Sequence, residues 1–144
     1  MNKLTWWMRI VGAVYLLQFV MMAVVRAPIQ TFGPEGALLA AASGDPLAKF
    51  LVDTWVGFGL ENCAIGIGLL LASRSAETGR ALVWTVLAVE LAKGIVFDFY
   101  MIVRGYDLVG FSVWIVIHSV IIVTGLLSLR KTQTAETSAH SPKM

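Results

Sequence analysis

Six ionisable side chains interrupt the apolar stretches of this 144-residue chain, and they are the residues best suited to chemistry. Carboxylates and imidazoles transfer protons, bind hydrogen-bonding ligands and coordinate metal ions. Near the centre of a membrane-spanning helix each such group costs about 2.5–3.5 kcal/mol on insertion scales, so its presence there is by default a sign of function. The six residues are Asp53, Glu61, Glu90, Lys93, Asp98 and His118.

Composition shows which elements must position these groups. Apolar residues make up 58% of the chain, charged residues only 14%, and the mean hydropathy is +0.78. Soluble globular chains are about 45–50% apolar and about 25% charged, so 11 basic and 9 acidic residues are too few to cover a soluble fold of this length. The sequence therefore predicts an all-α integral membrane protein whose principal partner is the lipid bilayer.

Four apolar segments are long enough to cross the hydrocarbon core, which takes about 20 helical residues. They predict a four-helix transmembrane bundle that forms a single domain over residues 1–130, followed by a disordered polar tail over residues 131–144. We expect the first segment to be retained rather than cleaved as a signal peptide, because Trp6 and Trp7 favour an anchor and Pro28 disfavours cleavage. The four helices cover about residues 6–25, 46–72, 81–103 and 108–129.

Local signals refine two of the helix boundaries. Asp45 is a suitable N-cap for the second span, and Pro46 suits its first helical position. Between the first two spans, Pro34 and the stretch from Glu35 to Ala42 are compatible with two predictions, a short helix that ends near Ser43 and Gly44 or a plain connector.

The placement of lysine and arginine predicts the orientation of the spans. Seven of the eleven basic residues lie at the N-terminus, in the second loop and in the tail, and three lie on the opposite side. Because cytoplasmic loops carry the excess of basic residues, both termini are predicted to be cytoplasmic. The net charge of +2 without a basic patch excludes a nucleic-acid partner, and the single cysteine, Cys63, excludes an intrachain disulfide.

The polar residues of the spans fall into two predicted depth layers. The middle layer is a buried polar cluster, or a ligand or proton site, formed by Tyr15, Glu61, Glu90, Lys93 and His118. The outer layer lies about 12 Å closer to the outer face, since Asp53 and Asp98 are each eight residues from a central glutamate; it comprises Asp53, Asp98 and Gln18. Helical spacing predicts that two stripes face a shared interior: Asp53, Gly57, Glu61, Ala64 and Gly68 on the second span, and Glu90, Gly94, Asp98 and Met101 on the third.

Several interpretations of the middle layer remain open. The cluster is either a ligand or proton site or a set of structural hydrogen bonds that fixes helix packing. Two carboxylates and an imidazole also match iron, manganese or zinc, but no Glu/His pair has the spacing of three or four residues typical of a metal site, so we predict no metal and no cofactor. Lys93 is most simply the counter-ion of Glu90. The sequence has no nucleotide-binding loop and no nucleophile elbow, so it indicates no enzyme class.

The chain as a whole resembles the BphX-like family of small bacterial inner-membrane proteins associated with operons for the degradation of biphenyl-type aromatic compounds. The resemblance implies a bacterial inner-membrane location and a setting in aromatic catabolism, but it implies no reaction and no catalytic residues. The segments that carry it are LTWWMRIVGAVYLLQFVMMAVVRAPIQTFGPEGAL at residues 4–38, DPLAKFLVDTWVGFGLE at 45–61, RGYDL at 104–108 and WIVIH at 114–118.

The sequence and the resemblance together favour an accessory protein that binds or passes a small aromatic ligand through a polar site in the bundle. Three alternatives remain: a proton-coupled small carrier that acts as a dimer, a membrane oxidoreductase or metal enzyme, and a structural or assembly protein. The carrier would be a homo-oligomer that uses Glu61 or Glu90. The assembly protein predicts that Glu61→Gln and Glu90→Gln have little effect on phenotype.

Overall fold

The computed structural model describes residues 3–26 and 36–139, and every regular element in these ranges is helical. Helix α1 (Lys3–Phe19) continues into a first π-helical segment (Val20–Val24). A short helix α2 (Ala37–Ala42) precedes the long helix α3 (Pro46–Ala72). Helix α4 (Ala76–Val89) passes directly into a second π segment (Glu90–Val96) and then into α5 (Phe97–Val103), and the last helix is α6 (Leu108–Ala139). The all-α prediction is confirmed.

The predicted start of the second span is confirmed. Helix α3 begins at Pro46, and the Asp45 carboxylate caps it by accepting a hydrogen bond from the backbone N–H of Ala48 at 2.8 Å. The predicted short helix is also present from Ala37, and it ends at Ser43 and Gly44, whose φ of 95° only glycine adopts without strain. Residues 27–35, with the predicted start at Pro34, lie outside the described residues.

Helix α6 extends further than the sequence predicted. It continues to Ala139, and the disorder expected for residues 131–144 stays a prediction. Neither glycine nor proline occurs between Gly125 and Pro142 to end the helix, so the residues that follow the apolar stretch can continue it. Residues 140–144 lie outside the described part of the chain.

Three of the helices are long and apolar enough to cross a membrane: Lys3–Val24, Pro46–Ala72 and Leu108–Arg130. Their apolar side chains are widely exposed, as at Leu17 (61%), Val24 (66%) and Val116 (61%), which is the pattern expected of a protein surrounded by lipid. The structure thus indicates a membrane protein. The continuous helical stretch from Ala76 to Val103 is long enough to cross a membrane but is not apolar enough, because Glu90, Lys93 and Asp98 interrupt its apolar residues.

The described chain divides into two compact units. The larger unit combines Met1–Val11 with Leu69–Met144, and the smaller unit is Gly12–Gly68. In the larger unit the indole N–H of Trp7 donates to the Thr124 hydroxyl at 3.1 Å and to the Ile121 carbonyl at 3.3 Å. Gly125 gives the indole room, since a Cβ at this position would lie 3.0 Å from Trp7 Cζ2. Trp7 therefore ties the start of α1 to the middle of α6.

The variant Trp7→Phe tests this anchor. It keeps an aromatic ring but removes the N–H donor, so we expect a loss of about 1 kcal/mol in the free energy of unfolding in detergent micelles. The matched control is Trp6→Phe, since Trp6 is 52% exposed and should tolerate the change. Equal effects of the two substitutions would contradict the role assigned to the Trp7 hydrogen bonds.

In the smaller unit, glycines of α3 pack closely against the first helix. A Cβ at Gly66 would lie 2.8 Å from the carbonyl oxygen of Gly12, and a Cβ at Gly59 would lie 3.0 Å from the Cβ of Ala23. Small residues allow helices to approach in this way when no water drives them together. These contacts fix which face of α3 is turned toward the first helix.

This packing buries a different stripe of α3 from the one the sequence predicted to face inward. Asp53, Gly57, Glu61 and Ala64 are exposed, whereas Gly59, Asn62 and Gly66 are buried. Charge and small-residue spacing favoured the first stripe, but the close approach of Gly59 and Gly66 to the first helix determines the rotation of α3.

Candidate functional site

Three ionisable side chains of the larger unit meet in what we call the acid–histidine cluster (Glu90, Asp98 and His118). The two acids come from one continuous helical stretch, and the histidine comes from α6. Glu90 and Asp98 are only 2% and 7% exposed. His118 Nδ1 contacts Glu90 Oε2, and His118 Nε2 lies 3.7 Å from Asp98 Oδ2. The imidazole thus stands between two buried carboxyl groups, with one nitrogen turned to each.

The second π segment explains how one histidine reaches both acids. Eight residues of regular α-helix rotate a side chain about 80° beyond two full turns, so Glu90 and Asp98 would lie at opposite edges of one broad helical face. A π segment uses i→i+5 hydrogen bonds and turns less per residue, so it reduces this offset. Because the segment covers Glu90–Val96, it brings the two carboxyl groups to the same side of the helix. Such segments occur frequently at functional sites.

Gly94 makes room for the imidazole. It lies within the π segment and is buried. A Cβ at this position would overlap the ring of His118, at 2.5 Å from Nδ1. The position therefore accepts only glycine as long as His118 stays between the two acids.

An aromatic ring lies beside the cluster on α6. The Trp114 and His118 ring centroids are 6.0 Å apart, and the ring planes are tilted by 33°. Trp114 is one helical turn from His118 on the side of the loop that joins α5 to α6. It presents an apolar surface next to the polar groups of the cluster.

The cluster is chemically suited to move a proton. An imidazole accepts a proton on one nitrogen and releases it from the other, so it can connect two carboxyl groups that do not touch each other. The geometry is unsuited to one shared metal ion, because the two acids lie at opposite nitrogens of the ring. Across the described ranges, no three His, Cys, Asp or Glu side chains are arranged to hold a metal ion.

The remaining predicted site residues are placed as follows. Lys93 lies in the second π segment and is half-buried; its pairing with Glu90 stays a prediction. In the smaller unit, Tyr15 is buried, Gln18 is half-buried, and Glu61 and Asp53 are exposed. Their participation in one polar site with the acid–histidine cluster also stays a prediction.

Sequence reasoning missed three features of the structure. Asp98 was assigned to an outer layer, apart from His118, because its eight-residue separation from Glu90 corresponds to about 12 Å in depth. Neither π segment was expected, since no residue type marks such a segment; the only signal in the second one is a glycine inside an apolar helix. Asn62 was overlooked, although it is buried and its amide contacts Met22 Sδ at 3.3 Å.

Comparison with known proteins gives a consistent result. The family model described as BphX-like matches residues 1–134. An "Uncharacterized BphX-like protein" from Burkholderia cepacia is 31% identical over 124 residues, which cover 83% of this chain and 86% of the relative. A BphX-like protein from Paraburkholderia xenovorans (strain LB400) has the same identity and coverage. No solved structure matches.

Proposed function

The chain belongs to the BphX-like family, and from that premise we propose that it is an accessory protein of aromatic-compound breakdown that binds and passes a small aromatic molecule in the bacterial inner membrane. The observation that supports this proposal best is the acid–histidine cluster. Ionisable groups buried in a membrane protein carry a free-energy cost, and their presence by default indicates a ligand site or a proton pathway. A pathway for a small molecule requires such a polar site together with an apolar surface, which Trp114 supplies.

The proposed topology has four spans with both termini in the cytoplasm. Three helices qualify by length and hydropathy. The stretch Ala76–Val103 is the fourth, and its central part is less apolar than the other three because it contains Glu90, Lys93 and Asp98. Two of these residues, Glu90 and Asp98, are buried against His118 rather than exposed to lipid. This placement removes the main objection to a fourth span.

Uptake by living cells tests the proposed function. We expect cells that contain the protein to accumulate labelled biphenyl or benzoate faster at limiting concentration than cells that lack it. The variant Asp98→Asn should behave like the deletion if the cluster lies on the pathway. Equal uptake and equal growth with and without the protein would overturn the proposal.

A second candidate, a proton-coupled carrier that acts as a dimer, is supported by the position of His118 between two acids. In proteoliposomes with a pH-sensitive dye inside, we expect a candidate aromatic substrate to drive proton movement. His118→Gln should reduce this movement to the level of empty liposomes, because an amide cannot carry a proton between Glu90 and Asp98. Proton movement that survives His118→Gln would exclude the relay as its route.

A further inference from the structure

We infer that one end of the larger unit, the end at which α1 begins, binds the headgroup of an anionic phospholipid. The inference goes beyond the proposed function and does not depend on any aromatic molecule. It is supported by the convergence of basic side chains from separate segments, by the shortage of acids near them and by two exposed tryptophans at the same level. We call these basic residues the basic end: Lys3, Arg9, Arg74, Arg80 and Arg130.

Two close contacts fix the register between the helical stretch Ala76–Val103 and α6. A Cβ at Gly94 would overlap the ring of His118, and a Cβ at Gly125 would lie 2.7 Å from Leu87 Cδ2. Seven residues toward the start of the first stretch thus correspond to seven residues toward the end of α6. The two helical stretches therefore run in opposite directions, and the start of one lies beside the end of the other.

This register places two arginines at nearly the same level. It sets Leu82 opposite Arg130, and Arg80 precedes Leu82 by two residues, which is about 3 Å along the helix axis. Arg130 is exposed and Arg80 is half-buried. The start of α4 and the apolar part of α6 thus each contribute one cation to the basic end.

The start of α1 and the loop after α3 contribute the other three cations. Arg9 Nε donates to the hydroxyl of the buried Ser73 at 3.4 Å, which holds α1 against this loop. Arg74 follows Ser73 directly, and Lys3 lies closer to the start of α1. The side chains of Lys3, Arg9 and Arg74 are all exposed.

Few acidic residues lie near these cations in the sequence. Residues 1–34 contain none, residues 62–89 contain only Glu77, and the only acid of α6 is Glu136, six residues beyond Arg130. Five basic residues against two acids leave a positive excess at this end, although the whole chain has a net charge of only +2. The cations are scattered along the sequence, and the fold brings them together. Because like charges repel one another, an anion at the basic end is stabilising.

Two indoles place the basic end at the level of lipid headgroups. Trp6 lies between Lys3 and Arg9 on α1, and Trp84 lies one turn after Arg80 on α4; both are exposed. Tryptophan is enriched where the hydrocarbon core meets the headgroups. The cations beside these indoles are therefore at the depth of lipid phosphates.

The chemistry of the basic end selects an anionic phosphodiester. Guanidinium groups donate paired hydrogen bonds to phosphate oxygens, and three of the four arginines are exposed. Anionic lipids attract clusters of basic residues next to a membrane span, whereas the headgroup of phosphatidylcholine carries no net charge. A lipid headgroup matches both the charge and the depth of the site, and a soluble phosphate ion matches only the charge.

Quenching of tryptophan fluorescence by brominated lipids tests the inference in proteoliposomes. The background variant Trp55→Phe with Trp114→Phe leaves Trp6, Trp7 and Trp84 as the emitting residues, all near the basic end. We expect brominated phosphatidylglycerol in phosphatidylcholine to quench at a lower mole fraction than brominated phosphatidylcholine in phosphatidylglycerol. High salt should reduce this preference. Millimolar inorganic phosphate should not reverse the quenching.

Variants assign the preference to the basic end. Arg74→Gln and Arg130→Gln should each reduce the preference for phosphatidylglycerol about fivefold, the effect of one basic residue near a membrane surface. The control variants Lys49→Gln and Arg104→Gln remove exposed cations from the opposite end and should leave the preference unchanged.

Three results would overturn the inference. The first is equal quenching by the two brominated lipids, and the second is an equal effect of the test and control variants. The third is reversal of the quenching by inorganic phosphate, which would assign the basic end to a soluble anion. In each case faster uptake of biphenyl or benzoate would still support the proposed function.

Discussion

Replacement of His118 by leucine is expected to destabilise the protein by about 3 kcal/mol, the loss typical when one partner of a buried charged pair is removed. Leucine is similar in size to histidine but cannot hydrogen-bond, so the Glu90 carboxyl group would stay 2% exposed without its imidazole partner. Asp98 would lose the imidazole nitrogen that lies 3.7 Å from its Oδ2 as well. The free energy of unfolding can be measured by titration with SDS from mild detergent micelles.

A double variant distinguishes the lost pairing from lost packing. Glu90→Met combined with His118→Leu removes both polar partners, and apolar replacement of a whole buried pair is frequently neutral. We expect the double variant to be more stable than His118→Leu alone. If the two substitutions destabilise additively, Glu90 and His118 are not coupled, and the contact between them does not contribute to folding.

Replacement of Gly94 by alanine is the second change with a large expected effect. The added methyl group would overlap the His118 ring, so either the ring leaves its position or the helices move apart. Overpacking of this kind costs about 1–3 kcal/mol. In addition, we expect the variant to lose proton movement in proteoliposomes, because His118 can no longer stand between Glu90 and Asp98.

Gly57→Ala is the matched control, since a Cβ at that position of α3 meets nothing within 4 Å. Alanine should even stabilise that helix slightly, because it has the higher helix propensity. If Gly94→Ala were as stable and as active as Gly57→Ala, the close packing of His118 on the second π segment would be contradicted.

The sequence predicted the helices better than it predicted their rotation. Hydropathy, together with Asp45 and Pro46, located the start of α3 correctly, because capping and apolar length are local properties. Its buried face depends on which glycines approach another helix. Gly59 and Gly66 do so and Gly57 does not, although all three look alike in the sequence.

The predicted polar site stays a prediction, but two of its residues, Glu90 and His118, lie together in the structure. Glu90 and His118 were expected together because both lie near the centres of their segments, and they are in contact. Asp98 was placed in a separate layer because eight helical residues separate it from Glu90 by about 12 Å in depth. The second π segment, which contains Gly94, leaves no clear mark in the sequence.

The central claim is that Glu90, His118 and Asp98 act as one proton-sharing unit, and histidine ¹⁵N NMR tests it most directly. The chain has two histidines, so the variant His140→Gln leaves His118 as the only source of signal. We predict that Glu90→Gln shifts the Nδ1 resonance and that Asp98→Asn shifts the Nε2 resonance, because each acid faces one nitrogen. Nδ1 and Nε2 resonances that match those of a free imidazole and do not shift in either variant would contradict the claim.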